Sequence, residues 1–204
     1  MTFGPTTVPT RITYARLLSC PVFVFLFWLA VPGQGLGVDG LARDLDPLPL
    51  AFAFGLLLLQ EASDIVDGVI ARRRGQVTDF GKLLDPLADT LSHMGAFMCL
   101  MWVGLIPLWL VLVMYYREGI VGTLRILAAR SSVVVGARMS GKVKAVAQGA
   151  GANLLLLLMI IAHYEPRVPL REVAEAVTWV VGATAVLSLV DYYRSVRALP
   201  RKGA

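Results

Sequence analysis

The chain has 204 residues, 57% of them hydrophobic and 16% charged, with a net charge of +5 at pH 7 and a mean hydropathy of +0.70. Soluble domains carry about a quarter of their residues as charges, so the composition excludes an ordinary soluble domain and makes a bilayer the expected solvent. The two cysteines, Cys20 and Cys99, both fall in apolar stretches, where a free thiol behaves as a small hydrophobe, and this excludes a disulfide framework.

Residues 1–15 mix Arg11 with Ile12 and Tyr14 and are expected to form a short interfacial helix leading into a first span over 16–32. Pro5 and Pro9 precede the apolar run and no small-residue cleavage site follows a short core, so this segment reads as retained rather than as a secretory signal. Pro32 and the glycines at 33, 35 and 37 end it. The uncharged run from Pro47 to Gln60 falls short of the roughly 20 residues that cross a hydrocarbon core. It spans only if its helix continues through Glu61, Asp64 and Asp67 into Ala71 and Arg72. That continuation sets carboxylates at or below the membrane surface, where they are tolerated facing a polar cavity, a partner or a metal.

The uncharged stretch 90–116 reads as a hairpin broken at Gly104 and Pro107. Six spans then follow, at 16–32, 48–72, 80–103, 106–128, 141–163 and 171–194, giving an all-α membrane protein with one catalytic domain over 16–195 and a C-terminal tail over 196–204. The hairpin is preferred because it sorts the charges. Of the 19 basic residues, only Arg43, Arg167 and Arg171 fall on one side. Loops rich in Lys and Arg face the cytoplasm, so both termini and the aspartate segment are expected there, in a bacterial-type inner membrane. The same basic face suits an anionic lipid surface, and no nucleic-acid partner is expected.

The segment from Asp64 to Asp89 reads D-x2-D-G-x2-A-R-x8-G-x3-D-x3-D. Asp64 and Asp67 are three apart, and Asp85 and Asp89 four apart, so each pair shares a helix face. Gly68 and Gly81 remove side chains from those faces, where a bulky ligand would approach. Two helices joined near Gly75 are expected to bring the four carboxylates together. Such a cluster needs countercharge, and hard oxygen donors suit Mg²⁺, Mn²⁺ or Ca²⁺. Paired ions commonly clamp the attacking and leaving oxygens in phosphoryl displacement.

Asp64, Asp67, Gly68, Ala71, Arg72, Gly81, Asp85 and Asp89 together resemble the signature of the CDP-alcohol phosphotransferase family. The resemblance implies a six-helix membrane fold, usually homodimeric, with a site for two Mg²⁺ or Mn²⁺ ions. It implies Asp64, Asp67, Asp85 and Asp89 as metal ligands, with Asp89 also the base toward the acceptor hydroxyl. Gly68, Ala71, Arg72 and Gly81 would line the CDP pocket.

R-I-T-x2-R from Arg11, L-L-D-P-L-A-D, R-E-x6-R from Arg117 and G-K-V-K-A-V-A-Q from Gly141 are similar to segments of the family's phosphatidylglycerophosphate-forming branch. This implies CDP-diacylglycerol as donor and sn-glycerol 3-phosphate as acceptor, with Arg117, Arg125, Lys142 and Lys144 expected to bind the acceptor phosphate. Inositol phosphate and phosphatidylglycerol are rival acceptors. From other classes, a cation transporter or a silent membrane scaffold would also carry intramembrane acids. His93, one turn after Asp89, reads as a packing or interhelical hydrogen-bond residue and receives no role. Glu61 to Ser63 fit none of these patterns.

Overall fold

The computed structural model describes residues 8–31, 45–74, 79–130 and 139–197. Those residues form six helices: α1 Val8–Ala30, α2 Pro47–Arg74, α3 Asp79–Trp102, α4 Leu108–Arg130, α5 Met139–Tyr164 and α6 Leu170–Arg197. The first part of the short interfacial helix expected over 1–15 lies outside the described residues. From Val8 onward it is continuous with the first span. Pro9 sits in the opening turn, where its missing N–H is harmless, and Thr13 and Arg16 are drawn into the bundle.

Local chemistry sets the helix ends. Asp46 caps α2, its Oδ1 accepting from the Leu48 amide at 2.9 Å, with Pro47 preset for the first helical position. The Asp46 amide also donates to the Ala30 carbonyl at 2.7 Å, closing the α1–α2 connection. The expected break at Gly104 is a left-handed cap with φ of 80°. There the Leu105 amide reaches Leu100 O at 3.0 Å and the Gly104 amide reaches Met101 O at 2.9 Å, a Schellman pair that satisfies the last carbonyls of α3. Pro107 then starts the return.

Helix α1 packs on α2 and α3, and α6 packs on α4 and α5; the two halves join through α2–α5, α3–α4 and α3–α5. Phe27, Leu50, Leu57, Phe97, Leu100, Leu110, Leu155 and Leu156 fill the core. Gly151 lets α5 approach α6 closely, since a Cβ there would lie 2.8 Å from Val177 Cγ1. Outward-facing Leu18, Phe25, Trp28, Phe52, Leu59, Trp179 and Leu187 leave an apolar exterior suited to lipid rather than water. Among the described residues, Arg11–Ala30, Met139–Tyr164 and Leu170–Ser195 are long and apolar enough to cross a membrane by length and composition. Helices α2, α3 and α4 have 28, 24 and 23 residues, but their apolar character is diluted by the charges that make up the candidate site.

Candidate active site

Two of the signature aspartates are held by side chains from α1. Arg16 donates from Nη1 to Asp64 Oδ1 at 2.5 Å, and Thr13 donates from Oγ1 to Asp85 Oδ1 at 2.7 Å. Thr13 and Arg16 are one turn apart and both buried, so one face of α1 reaches both carboxylate-bearing helices. These are the threonine and second arginine of R-I-T-x2-R. Sequence reasoning placed that motif within a resemblance but assigned its side chains no task.

The basic cluster is organised around an acid. Glu118 Oε1 accepts from Arg117 Nη1 and from Lys144 Nζ, each at 2.7 Å. Arg117 also donates from Nη2 to Ser188 Oγ at 2.7 Å, tying α4 to α6. Both cations are nearly inaccessible, and a buried cation needs such pairing to offset lost hydration. Lys142, in contrast, is exposed.

Asp64, Asp89, Arg117, Lys142 and Lys144 share one cavity of about 210 Å³, whose wall also includes Pro86, Thr90, Glu118, Gly141, Ala145 and Tyr192. Acidic and basic groups from four helices thus converge on one polar space. A larger cavity of about 280 Å³ lies on the α1–α3 seam, walled by Val24, Phe27, Trp28, Gly95, Met98, Cys99 and Trp102. Its lining offers no group for acid–base or phosphate chemistry.

One turn beyond the aspartates, His93 Nε2 and Glu61 Oε1 lie 2.7 Å apart. His93 Nδ1 lies 3.5 Å from Asp89 Oδ1. The expected interhelical bond of His93 is therefore present, but the histidine also borders a signature aspartate, and its partner is the residue that spacing left unexplained.

The expected gathering of four carboxylates is only partly visible. Asp64 and Asp89 meet at the cavity, while Asp85 is half-buried against Thr13. The side chains of Asp67, Gly68, Ala71, Arg72, Gly81 and Arg125 lie outside the described residues, although their backbones belong to α2, α3 and α4. Among the described residues, no three His, Cys, Asp or Glu side chains are close enough to enclose a metal ion. The donor chemistry of Asp64, Asp85 and Asp89 nevertheless fits a hard divalent cation.

The family model described as CDP-alcohol phosphatidyltransferase matches residues 6–189. The chain is 37% identical over 152 residues to the CDP-diacylglycerol–glycerol-3-phosphate 3-phosphatidyltransferase of Bacillus subtilis, covering 74% of this chain and 76% of that protein. It is 31% identical over 198 residues to the protein of the same name from Shigella flexneri, covering 94% and 95%. It is also 37% identical over 123 residues to a CMP-forming cardiolipin synthase of Streptomyces coelicolor, covering 58% and 52%.

Proposed function

Because the chain belongs to the CDP-alcohol phosphatidyltransferase family, we propose that it transfers the phosphatidyl group of CDP-diacylglycerol to sn-glycerol 3-phosphate, forming phosphatidylglycerophosphate and CMP. The observation that carries this reading is the single cavity shared by Asp64, Asp89, Arg117, Lys142 and Lys144. Carboxylates suit a metal-bound diphosphate, and adjacent cations suit an acceptor that is itself a phosphate monoester.

In this reading Asp64, Asp67, Asp85 and Asp89 hold two divalent ions, Mg²⁺ or Mn²⁺. When bound, the ions supply neutralisation of the charge that grows on the diphosphate as CMP departs. Asp89 accepts the proton of the attacking hydroxyl. The new bond forms between that oxygen and the lipid-linked phosphorus, the bond to the CMP oxygen breaks, and CMP leaves with the electron pair. Arg117, Arg125, Lys142 and Lys144 bind the acceptor phosphate; Gly68, Ala71, Arg72 and Gly81 line the CDP pocket. Glu118 keeps Arg117 and Lys144 paired and in place when no acceptor is bound. The working protein is a homodimer in the inner membrane, with its site and both termini on the cytoplasmic side.

The test is CMP release by purified protein with CDP-diacylglycerol and Mg²⁺ or Mn²⁺, with sn-glycerol 3-phosphate, inositol phosphate, phosphatidylglycerol or no acceptor. The expected result is release with glycerol 3-phosphate, abolished by EDTA and restored by metal. Release with phosphatidylglycerol instead would make the protein a cardiolipin-forming member, and no release with any acceptor would overturn the enzymatic reading.

A further inference from the structure

We infer that Glu61 and His93 form a positioning pair that fixes the two carboxylate-bearing helices relative to each other and orients Asp89 toward the metal site; this rests on the metal-dependent reading above. Glu61 precedes Asp64 by three residues on α2, and His93 follows Asp89 by four on α3, so each lies on the face of its aspartate. The 2.7 Å bond between them therefore ties α2 to α3 one turn beyond the candidate ligands. Among the described residues those two helices make few other direct contacts.

A third helix completes the arrangement. The Glu61 carboxylate rests on the backbone of α5 at Gly149, where a Cβ would lie 2.8 Å from Oε2 and 2.9 Å from Cδ. Any larger residue at 149 would displace the carboxylate, so the glycine leaves room for it. His93 is 1% exposed, and its Nδ1 has no hydrogen-bond partner among the described residues while it faces Asp89 Oδ1 at 3.5 Å. A buried polar ring with one edge unpaired is costly in a membrane bundle. Apolar residues would pack α2 against α3 without that cost, and the edge left open is the one that faces a signature aspartate. Groups that hold metal ligands from behind typically change metal affinity or activity by about 10–100-fold when removed.

The experiment is direct Mn²⁺ titration of purified protein, followed by electron paramagnetic resonance of the free ion, on wild type, Glu61→Ala, Glu61→Gln, His93→Ala and Gly149→Ala. Thermal unfolding and steady-state kinetics are measured in parallel. The expected result is Mn²⁺ affinity lowered about 10–100-fold in Glu61→Ala, His93→Ala and Gly149→Ala. Glu61→Gln stays within about threefold of wild type, because the amide can accept from or donate to the imidazole. The kinetic loss falls on kcat and on the metal concentration for half-maximal rate, with KM for CDP-diacylglycerol and glycerol 3-phosphate unchanged. Wild-type Mn²⁺ affinity in Glu61→Ala and His93→Ala, or Glu61→Gln as impaired as Glu61→Ala, overturns the positioning role. If the two alanine variants do not fold, Gly149→Ala, which deletes no polar group, decides the matter by the same readout. Wild type that binds no Mn²⁺ would overturn the metal site itself and this inference with it, a result distinct from variants that bind as wild type does.

Discussion

Arg16 Nη1 of α1 and Asp64 Oδ1 of α2 lie 2.5 Å apart, with the arginine 4% exposed and the aspartate 45% exposed. The guanidinium is enclosed while the carboxylate opens on the cavity, so Arg16 anchors Asp64 from behind. Because water reaches Asp64, loss of the pair costs less than the about 3–5 kcal/mol of a fully enclosed one. Arg16→Ala is expected to lower stability by about 1–2 kcal/mol and kcat for CMP release by about tenfold or more. Arg16→Lys, which keeps the charge but loses the planar fork, should fall between. Wild-type kcat in Arg16→Ala would remove the residue from the site.

Glu118 meets two nearly inaccessible cations through one oxygen. Glu118→Gln leaves Arg117 and Lys144 without their countercharge, and is expected to destabilise the protein by several kcal/mol. The KM for glycerol 3-phosphate should rise by about tenfold or more, because the cations lose their shared reference point. The KM for CDP-diacylglycerol should hold. A matched change in both KM values would argue for general loss of fold, so thermal unfolding in detergent accompanies the kinetics.

Gly104 has φ of 80° with nothing near its absent Cβ, and Gly55 in α2 has equally open surroundings within a helix. Gly104→Ala therefore meets only the backbone penalty, expected at about 1–2 kcal/mol of lost stability. Gly55→Ala should be neutral or stabilise by up to about 1 kcal/mol through helix propensity. Neither lies at the candidate site, so CMP release should be retained in both. Thermal midpoints of the pair provide the check, and equal midpoints would show that the α3–α4 hairpin is not held by its left-handed cap.

The charge distribution makes a prediction about sidedness. With Cys20 and Cys99 replaced, an impermeant thiol reagent applied to intact cells should modify Arg167→Cys and spare Arg201→Cys, and inverted vesicles should give the reverse. Modification of both positions from one face would require an even number of crossings between them, where the six-span arrangement has one, and would overturn that arrangement.

Much of the architecture was legible because it depends on local rules. Apolar run length marked the helices, and Gly104 with Pro107 marked a hairpin that adopts a known cap geometry. The faces of Asp64 with Asp67 and of Asp85 with Asp89 follow from helical periodicity. The N-terminal segment does not show in sequence what its polar residues reach, for a related reason. Its mixed polarity resembles an interfacial helix, whereas Thr13 and Arg16 are polar because they reach Asp85 and Asp64 inside the bundle.

The sequence alone therefore determined the membrane class, the six helices found among the described residues and the family. Tertiary structure decided the partners: Arg16 for Asp64, Glu118 for Lys144 and Arg117, and Glu61 for His93 across two helices. The physical reason is that helical spacing fixes neighbours along one helix through a short repeat. Contacts across helices depend on axial register and crossing geometry, which emerge only when the apolar faces of all six helices have packed.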